Sequence, residues 1–326
     1  MTARPQSLLL LDSASLYFRA FFGVPDTMRA PDGFPTNAMR GFLDFIATLV
    51  DRHRPTQVAA CWDVDWRPAW RVRLVPSYKA HRVAVGADPD APLVGGADPA
   101  LVSEEESPDE LGVQVPVIDK ILRALGIPIA GAPECEADDV IGTLARRARC
   151  PVAIVTGDRD LFQLIDDDQQ VSIVYTAKGG VGRAETLTDV DLVERYGVHA
   201  HQYVDFATMR GDTSDGLPGV KGVGDKTAAA LVASYDDLAG ILTAAADPKS
   251  VLATGVRTKL MDALEYLGRA VTVVAVRDDA DVWLSTEGLA VPAAPVDGDA
   301  WADLVERYAL GTSADRVVAA LARNAG

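Results

Sequence analysis

The chain is short of positive charge, cysteine and long apolar runs, and each shortage narrows what it can be. Lys and Arg number 31 against 47 Asp and Glu, for a net charge of −16. Nucleic-acid binders are usually basic, so the sum alone argues against that class. The three cysteines, Cys61, Cys135 and Cys150, form no CxxC pair, which excludes a disulfide framework and fits a reducing compartment. Cys61 and Cys135 stand beside acids and are read as buried, space-filling thiols. The four histidines show no zinc-ligand spacing; His199 and His201 are read as surface residues. The early run Leu8 to Leu11 is too short for a signal segment and ends in Asp12. No run approaches the ~18–20 apolar residues of a membrane span. The expectation is a cytosolic protein without a membrane contact.

What is present is enough for a large core. With 326 residues, 48% of them hydrophobic, the chain can form one large α/β domain and a smaller appended one. Four nearly continuous apolar runs, Ser7–Leu11, Val58–Trp62, Pro151–Val155 and Val171–Tyr175, read as strands buried on both faces. Helical patterns lie between them. Thr36 stands as a cap before Phe42, Phe45, Ile46, Leu49 and Val50, with a stop before Pro55. A second helix spans about Val117 to Leu125 and ends at Gly126, and a third follows Glu136. This alternation predicts a mainly parallel sheet covered by helices on both sides. From about Tyr203 to Ala246 the pattern turns helical around a glycine turn, and the tail closes with helices near Trp301–Tyr308 and Val317–Leu321.

The charge is unevenly distributed. Half of the net −16 lies in Val83–Leu111, where Asp88, Asp90, Asp98, Glu104, Glu105, Glu106, Asp109 and Glu110 occur without one base. That stretch, rich in Pro, Gly and Ala and lacking periodicity, is read as a mobile insertion. Many of the other acids follow a pattern. Three of the four strands end in one: Leu11-Asp12, Trp62-Asp63, and Val155-Thr-Gly-Asp158 followed by Asp160. Ligands of parallel α/β sheets collect beyond the carboxyl ends of strands, so these acids are predicted to share one edge. Glu136-Ala-Asp138-Asp139 opens a helix, and Asp212-Thr-Ser-Asp215 precedes the glycine turn. Taken singly, each acid would be an ordinary cap or turn residue. Together they would repel one another unless cations neutralise them. Oxygen ligands without Cys or His call for two divalent ions, Mg²⁺ or Mn²⁺, suited to in-line attack on a phosphodiester.

Two further stretches suit a phosphate. In Gly219-Val-Lys221-Gly222-Val-Gly224-Asp-Lys226-Thr227 the glycines let backbone approach closely, and a helix starts at Lys226. In Tyr78-Lys79-Ala-His-Arg82 a helical conformation would put Lys79 and Arg82 on one face. Facing the acids, those two cations could hold and polarise the scissile phosphate.

At this point the sequence resembles the bacterial 5′–3′ exonuclease/flap-endonuclease family, including the nuclease domain of DNA polymerase I. The matching stretches are Leu11-Asp12 through Phe18-Arg19, Thr36-Asn-Ala with Gly41-Phe42, Cys61-Trp-Asp63, Tyr78 to Arg82, Glu136 to Asp139, Thr156 to Asp160, and Gly211-Asp-Thr-Ser-Asp215 through Gly224. They fall in the family's order across roughly residues 7 to 280. The resemblance implies a PIN-like nuclease core with a helix–three-turn–helix unit. The expected division is a core at 1–200 with an arch or acidic insertion at about 78–115, a DNA-binding region at 201–290, and a helical tail at 291–326 packed on the core. One metal site is implied for Asp12, Asp63, Glu136 and Asp138 with Asp139 nearby, the other for Asp158, Asp160 and Asp215 with Asp212 supporting. Phe18 is implied to stack near the scissile nucleotide, with Arg19 and Tyr78 among the DNA-contacting residues. The glycine turn is implied to hold duplex DNA with a backbone-bound monovalent cation, K⁺. Lys79 and Arg82 would stand at the base of an arch that admits a 5′ flap.

The resemblance thus implies a monomeric, stand-alone nuclease, cytoplasmic and nucleoid-associated, without a polymerase domain. Its substrates would be 5′ flaps, nicked or gapped duplex and duplex ends, with RNA–DNA hybrids as a further class. Two alternatives stand beside it. A non-catalytic branched-DNA-binding scaffold would have lost metal ligands, yet all nine acids are present. A related metal-dependent ribonuclease would lack the glycine turn.

Overall fold

A computed structural model describes residues 4–83 and 108–325. The acidic stretch read as a mobile insertion lies mostly outside the described residues. Seven strands form one sheet: β1 Leu8–Asp12, β2 Gln57–Cys61, β3 Ile129–Gly131, β4 Val152–Thr156, β5 Val171–Tyr175, β6 Glu185–Leu187 and β7 Trp283–Leu284. Their order is β6-β5-β4-β1-β2-β3-β7. The five inner strands are parallel; β6 and β7 close the two edges antiparallel. The four strands expected from sequence are there within one residue at each end. The other three have three residues or fewer, too short to display a period.

The period-two geometry of β1 splits its side chains between two cores. Leu8 and Leu10 pack with Val140, Ile141 and Ile154 on one face. Leu9 and Leu11 pack with Leu16, Phe42 and Ile118 on the other. The second face is covered by helices Ser13–Gly23, Asn37–His53, Val115–Leu125 and Gly311–Ala325. Thr36 is the residue before the Asn37–His53 helix, but its hydroxyl makes no capping bond. Instead the Gln114 side-chain oxygen accepts from the N–H groups of Ala38 (2.9 Å) and Met39 (3.3 Å). A distant glutamine thus satisfies donors that a local cap usually takes. The last helix lies along Asn37–His53, tied by Arg316–Asp44 at 2.9 Å and Arg323–Asp51 at 2.6 Å.

Beyond β6 the chain is helical: Asp189–Tyr196, Tyr203–Arg210, Asp225–Tyr235, Leu238–Ala246, Thr254–Asp262 and Leu264–Val274. The last of these docks on the sheet domain, its Val273 carbonyl accepting from Arg71 Nε (3.1 Å) and its Val274 carbonyl from Gln163 (3.0 Å). Among the described residues no single helix is long and apolar enough to cross a membrane. One pair passes only jointly, and it is bent by 89°.

The order of the inner strands carries the functional consequence. β1 is flanked by β2 on one side and β4 on the other, so successive connections leave it in opposite directions. That is a topological switch point, where α/β sheets form a crevice beyond the strand ends. Asp12, Asp63 and Asp158 all lie at that edge.

Candidate metal centre

Asp12 is the last residue of β1 and the N-cap of the helix that follows. Its carboxylate accepts from Ser15 N–H (3.0 Å) and, across the crevice, from the Thr156 hydroxyl (2.7 Å). Burial raises it from the ordinary 3.8 to about 7, against those two bonds and with help from Asp63 and Asp158. Asp63, two residues past β2, accepts from Ala137 N–H at 2.7 Å. It thereby fills one of the open donors at the start of the Ala137–Arg147 helix, whose positive end suits acids. Asp158 accepts from Asp160 N–H at 2.9 Å, which folds the loop after β4 back toward the cleft.

Glu136 caps the Ala137–Arg147 helix and is buried. It accepts from the Tyr78 hydroxyl (2.7 Å), from Arg71 (3.2 Å) and, in a very short contact, from Lys79 Nζ. Burial raises it to about 7, against the pull of Lys79 and Arg71. Asp138, one turn position on, makes no hydrogen bond among the described residues and lines the cleft. Burial and then Asp158, Asp12 and Glu136 push it well above the usual carboxylate range. Asp160 is pushed up by burial and then by Asp158, Asp215 and Asp212; its Oδ1 is buried with no partner.

Asp212 stands apart. Burial would raise it, but bonds from the Ser214 hydroxyl and N–H (2.8 Å to the N–H), with Arg210 at 3.3 Å, hold it below the usual range. Asp215 pairs with Arg82 at 2.8 Å, while its backbone carbonyl accepts from Lys79 N–H at 2.9 Å.

All of these acids but Asp160 and Asp215 line one cleft of about 910 Å³. Asp12, Asp63, Glu136, Asp138, Asp158 and Asp212 line it, with Lys79 and Arg82 among them. Phe18, Arg19, Phe22, Phe45 and Trp66 supply an aromatic and basic rim. Arg19 Nε is buried without a hydrogen-bond partner, and its side chain reaches the Gly157 turn. The donor set is all oxygen, and the partnerless Asp160 Oδ1 and unbonded Asp138 are what a hard cation would satisfy. The residues fit divalent ions. Among the described residues no three such side chains already enclose a single point, and Lys79 and Arg82 sit on Glu136 and Asp215.

Three expectations are corrected by this geometry. Asp139 is no ligand: it is fully buried, and Arg71 grips both of its oxygens at 2.7 Å. It also accepts from Glu136 N–H (3.2 Å) and Arg277 N–H (3.0 Å), so its acceptor sites are spent on the protein. Tyr78 does not face DNA; it is buried with its hydroxyl on Glu136. Lys79 and Arg82 do not share a helical face. Only Ala80–Arg82 is 3₁₀, and Lys79 takes a left-handed backbone with φ +49°. Both cations still border the cleft, pointing at acids.

Sequence reasoning missed the supports. Buried Arg67 holds the carbonyls of Tyr78 (2.7 Å) and Pro76 (3.3 Å), fixing the segment that carries Lys79. Arg71 carries a raised pKa from Glu136 and Asp139 that outweighs burial, so it stays charged in the interior. Trp66 and Arg159 line the cleft and had no assigned role. Arg159 was visible between Asp158 and Asp160; nothing in the sequence singles out Trp66.

The glycine turn lies between Tyr203–Arg210 and Asp225–Tyr235. Gly211 (φ +78°) and Gly219 (φ +65°) stack backbone on backbone: a Cβ on either would come within 2.6 Å of the other's N. Gly222 (φ +77°) faces Lys259, whose ammonium donates to its carbonyl at 2.9 Å. Gly224 is the N-cap of Asp225–Tyr235 and has neither a positive φ nor a crowded Cβ, so nothing in the fold requires glycine there. Lys221 and Lys226 are exposed beside the helix start, with Thr227 half-buried. His199 and His201 are surface residues stacked at 5.5 Å, and Cys61 and Cys135 are buried free thiols.

Comparison with known proteins agrees with this architecture. Residues 7–197 match the 5′–3′ exonuclease N-terminal resolvase-like domain, and residues 198–296 the 5′–3′ exonuclease C-terminal SAM fold. A 5′–3′ exonuclease of Streptomyces coelicolor is 52% identical, over 96% of this chain and 99% of that protein. A DNA polymerase I of Mycobacterium bovis is 39% identical over 74% of this chain but 24% of its own length. In fold, the chain is similar to the bacteriophage T5 flap endonuclease in complex with DNA and metal ions. The TM-score is 0.62 at 15% identity, covering 98% of this chain and 99% of that one.

Proposed function

The chain belongs to the 5′–3′ exonuclease family, and from that premise we propose a metal-dependent nuclease that removes 5′ ends and 5′ flaps from DNA. The observation that carries the reading is the meeting of Asp12, Asp63, Glu136, Asp138 and Asp158 in one cleft at the switch point of the sheet. Asp212 lines it too, Asp160 lies within electrostatic reach of Asp158, Asp212 and Asp215, and Asp215 joins through Arg82. When bound, two divalent ions, Mg²⁺ or Mn²⁺, supply water activation and stabilisation of the leaving oxygen in an in-line displacement. The chain's own residues do the rest. Asp12, Asp63, Glu136 and Asp138 would hold one ion, Asp158, Asp160 and Asp215 the other, with Asp212 beside them. Lys79 and Arg82 pair with Glu136 and Asp215 and line the cleft, where they would face the scissile phosphate. Arg19, at the Gly157 turn, joins them, and Phe18 offers its ring to the terminal base.

Lys221, Lys226 and the N–H groups at the start of Asp225–Tyr235 hold the duplex phosphates at a distance from the cut. A K⁺ ion on the turn's carbonyls completes this contact, although Lys259 already occupies that of Gly222. The protein acts as a monomer, at the nucleoid, on flaps, nicks, gaps and duplex ends, and accepts RNA in RNA–DNA hybrids through the same cleft. The test is incubation with a labelled 5′-flap duplex in Mg²⁺, in Mn²⁺ and in EDTA. Cleavage near the flap base and from 5′ ends, abolished by EDTA, is expected. Tight binding without cleavage in either metal would instead mark a branched-DNA scaffold.

A further inference from the structure

A second cavity of about 450 Å³ adjoins the catalytic cleft on the β5–β6 side of the sheet. Arg159 lines both, so the two spaces meet at its side chain. The loop after β5 forms the partition, with Gly180 on the cleft and Lys178 on the cavity. The cavity is also lined by Tyr175, Tyr196, Glu185 and Arg195. Its two tyrosines are held from behind by Phe162, at ring distances of 5.1 Å and 5.8 Å. Phe162 is fully buried, so the aromatic wall is built before any ligand arrives.

Charge in the cavity is lopsided. Arg195 and Glu185 neutralise each other at 2.7 Å. The side chains of Arg159 and Lys178 are exposed and make no ion pair or hydrogen bond among the described residues, although Arg159 lies within electrostatic reach of Asp212 on the cleft side. Two cations outside any direct ion pair and two anchored aromatic rings stand out on a chain with a net charge of −16. A positive lining beside aromatic platforms is how proteins hold unpaired nucleotides without reading sequence. The volume falls within the range for a ligand of about that size.

We propose that this cavity is a nucleotide subsite: it takes one unpaired nucleotide of the strand being processed, base against Tyr175 and Tyr196, phosphate between Arg159 and Lys178. The proposal rests on the nuclease reading above and adds to it a place where unpaired strand is gripped just outside the cleft. Since a fully paired end has no such nucleotide to offer, the subsite favours substrates with an overhang.

The test uses duplexes with and without a short 5′ flap, with 2-aminopurine stepped through the flap one position at a time, bound to the full chain in EDTA. Stacking on tyrosine quenches this base. The wild type should quench one flap position above the others. A Tyr175→Leu, Lys178→Ala variant keeps an apolar contact on Phe162; it should lose the quench and bind the flapped duplex roughly five- to tenfold more weakly. Its affinity for the flapless duplex should not change. Lys178→Glu alone, at an exposed side chain, should weaken flap binding in the same direction and guards against misfolding of the double variant. Equal quenching at every position, or an unchanged flapped-to-flapless ratio in both variants, overturns the subsite while the nuclease stands. A wild type that neither binds nor cuts flapped duplex overturns the nuclease reading and the subsite with it.

Discussion

Asp138 and Asp139 are neighbours in sequence with opposite tasks. Asp139 is enclosed by Arg71, whereas Asp138 faces the cleft with no bond of its own. Removing Arg71 by Arg71→Met strands a buried carboxylate. The expected loss is about 3–5 kcal/mol of stability, read by urea unfolding; a loss below about 1 kcal/mol would remove Asp139's structural role. Asp138→Asn should do the reverse in EDTA. Its pKa is raised in the fold, as are those of Asp12 and Glu136, both at about 7. The folded state therefore holds protons that the unfolded chain has released, and stability falls as pH rises from the ordinary carboxylate range through about 7. Melting temperatures in EDTA should drop between pH 5 and pH 8. The Asn variant should drop less, and melt higher than wild type at pH 8. A lower melting temperature at pH 8 would mean that Asp138 stabilises the metal-free fold. Such single-residue roles were only half legible in the sequence: spacing showed the acids, but which carboxylate Arg71 would claim depends on packing 65 and more residues away.

At the scale of elements, the four long strands and the main helices could be read because each is buried enough to impose a period. The Gln114 cap could not, since it comes from 76 residues away. The glycine turn shows the same division. Its three glycines look alike in sequence, but only Gly219 must pass backbone against Gly211, while Gly224 stands in open space. Gly219→Ala should unfold the turn and weaken duplex binding at least tenfold, by about 1.4 kcal/mol or more. Gly224→Ala should bind nearly as wild type. Lys221→Ala and Lys226→Ala should each weaken binding to any sequence and each lower the salt slope by about one. These affinities are read by titrating a blunt duplex at several salt concentrations. Equal damage from Gly219→Ala and Gly224→Ala would show that DNA approach, not backbone packing, sets the need for glycine.

Across the whole molecule, net charge misleads because it averages unlike regions. Eight acids of the stretch from Val83 to Leu111 and the acids of the cleft account for most of the excess, and a chain with a net charge of −16 still presents cations where phosphates would lie. Replacing Ala84–Glu106 by a short Gly/Ser linker should leave removal of nucleotides from blunt ends unchanged. It should alter cleavage of long flaps, most at low ionic strength, where charge acts at the longest range. Single-turnover rates on blunt and flapped duplexes decide this; loss of blunt-end activity would give the stretch a part in chemistry or folding. The topology that gathers the acids was predictable from three strands ending in Asp, whereas the side cavity, built from β5, β6 and the Asp189–Tyr196 helix, left no signal in the sequence. The account as a whole turns on Asp160, whose Oδ1 is buried without a partner among the described residues. The single-turnover rate of Asp160→Asn on a 5′-flap duplex, at saturating enzyme and Mn²⁺, should fall at least about a hundredfold below wild type with DNA affinity retained. A rate equal to that of the wild type would contradict a metal-dependent nuclease built on this cluster.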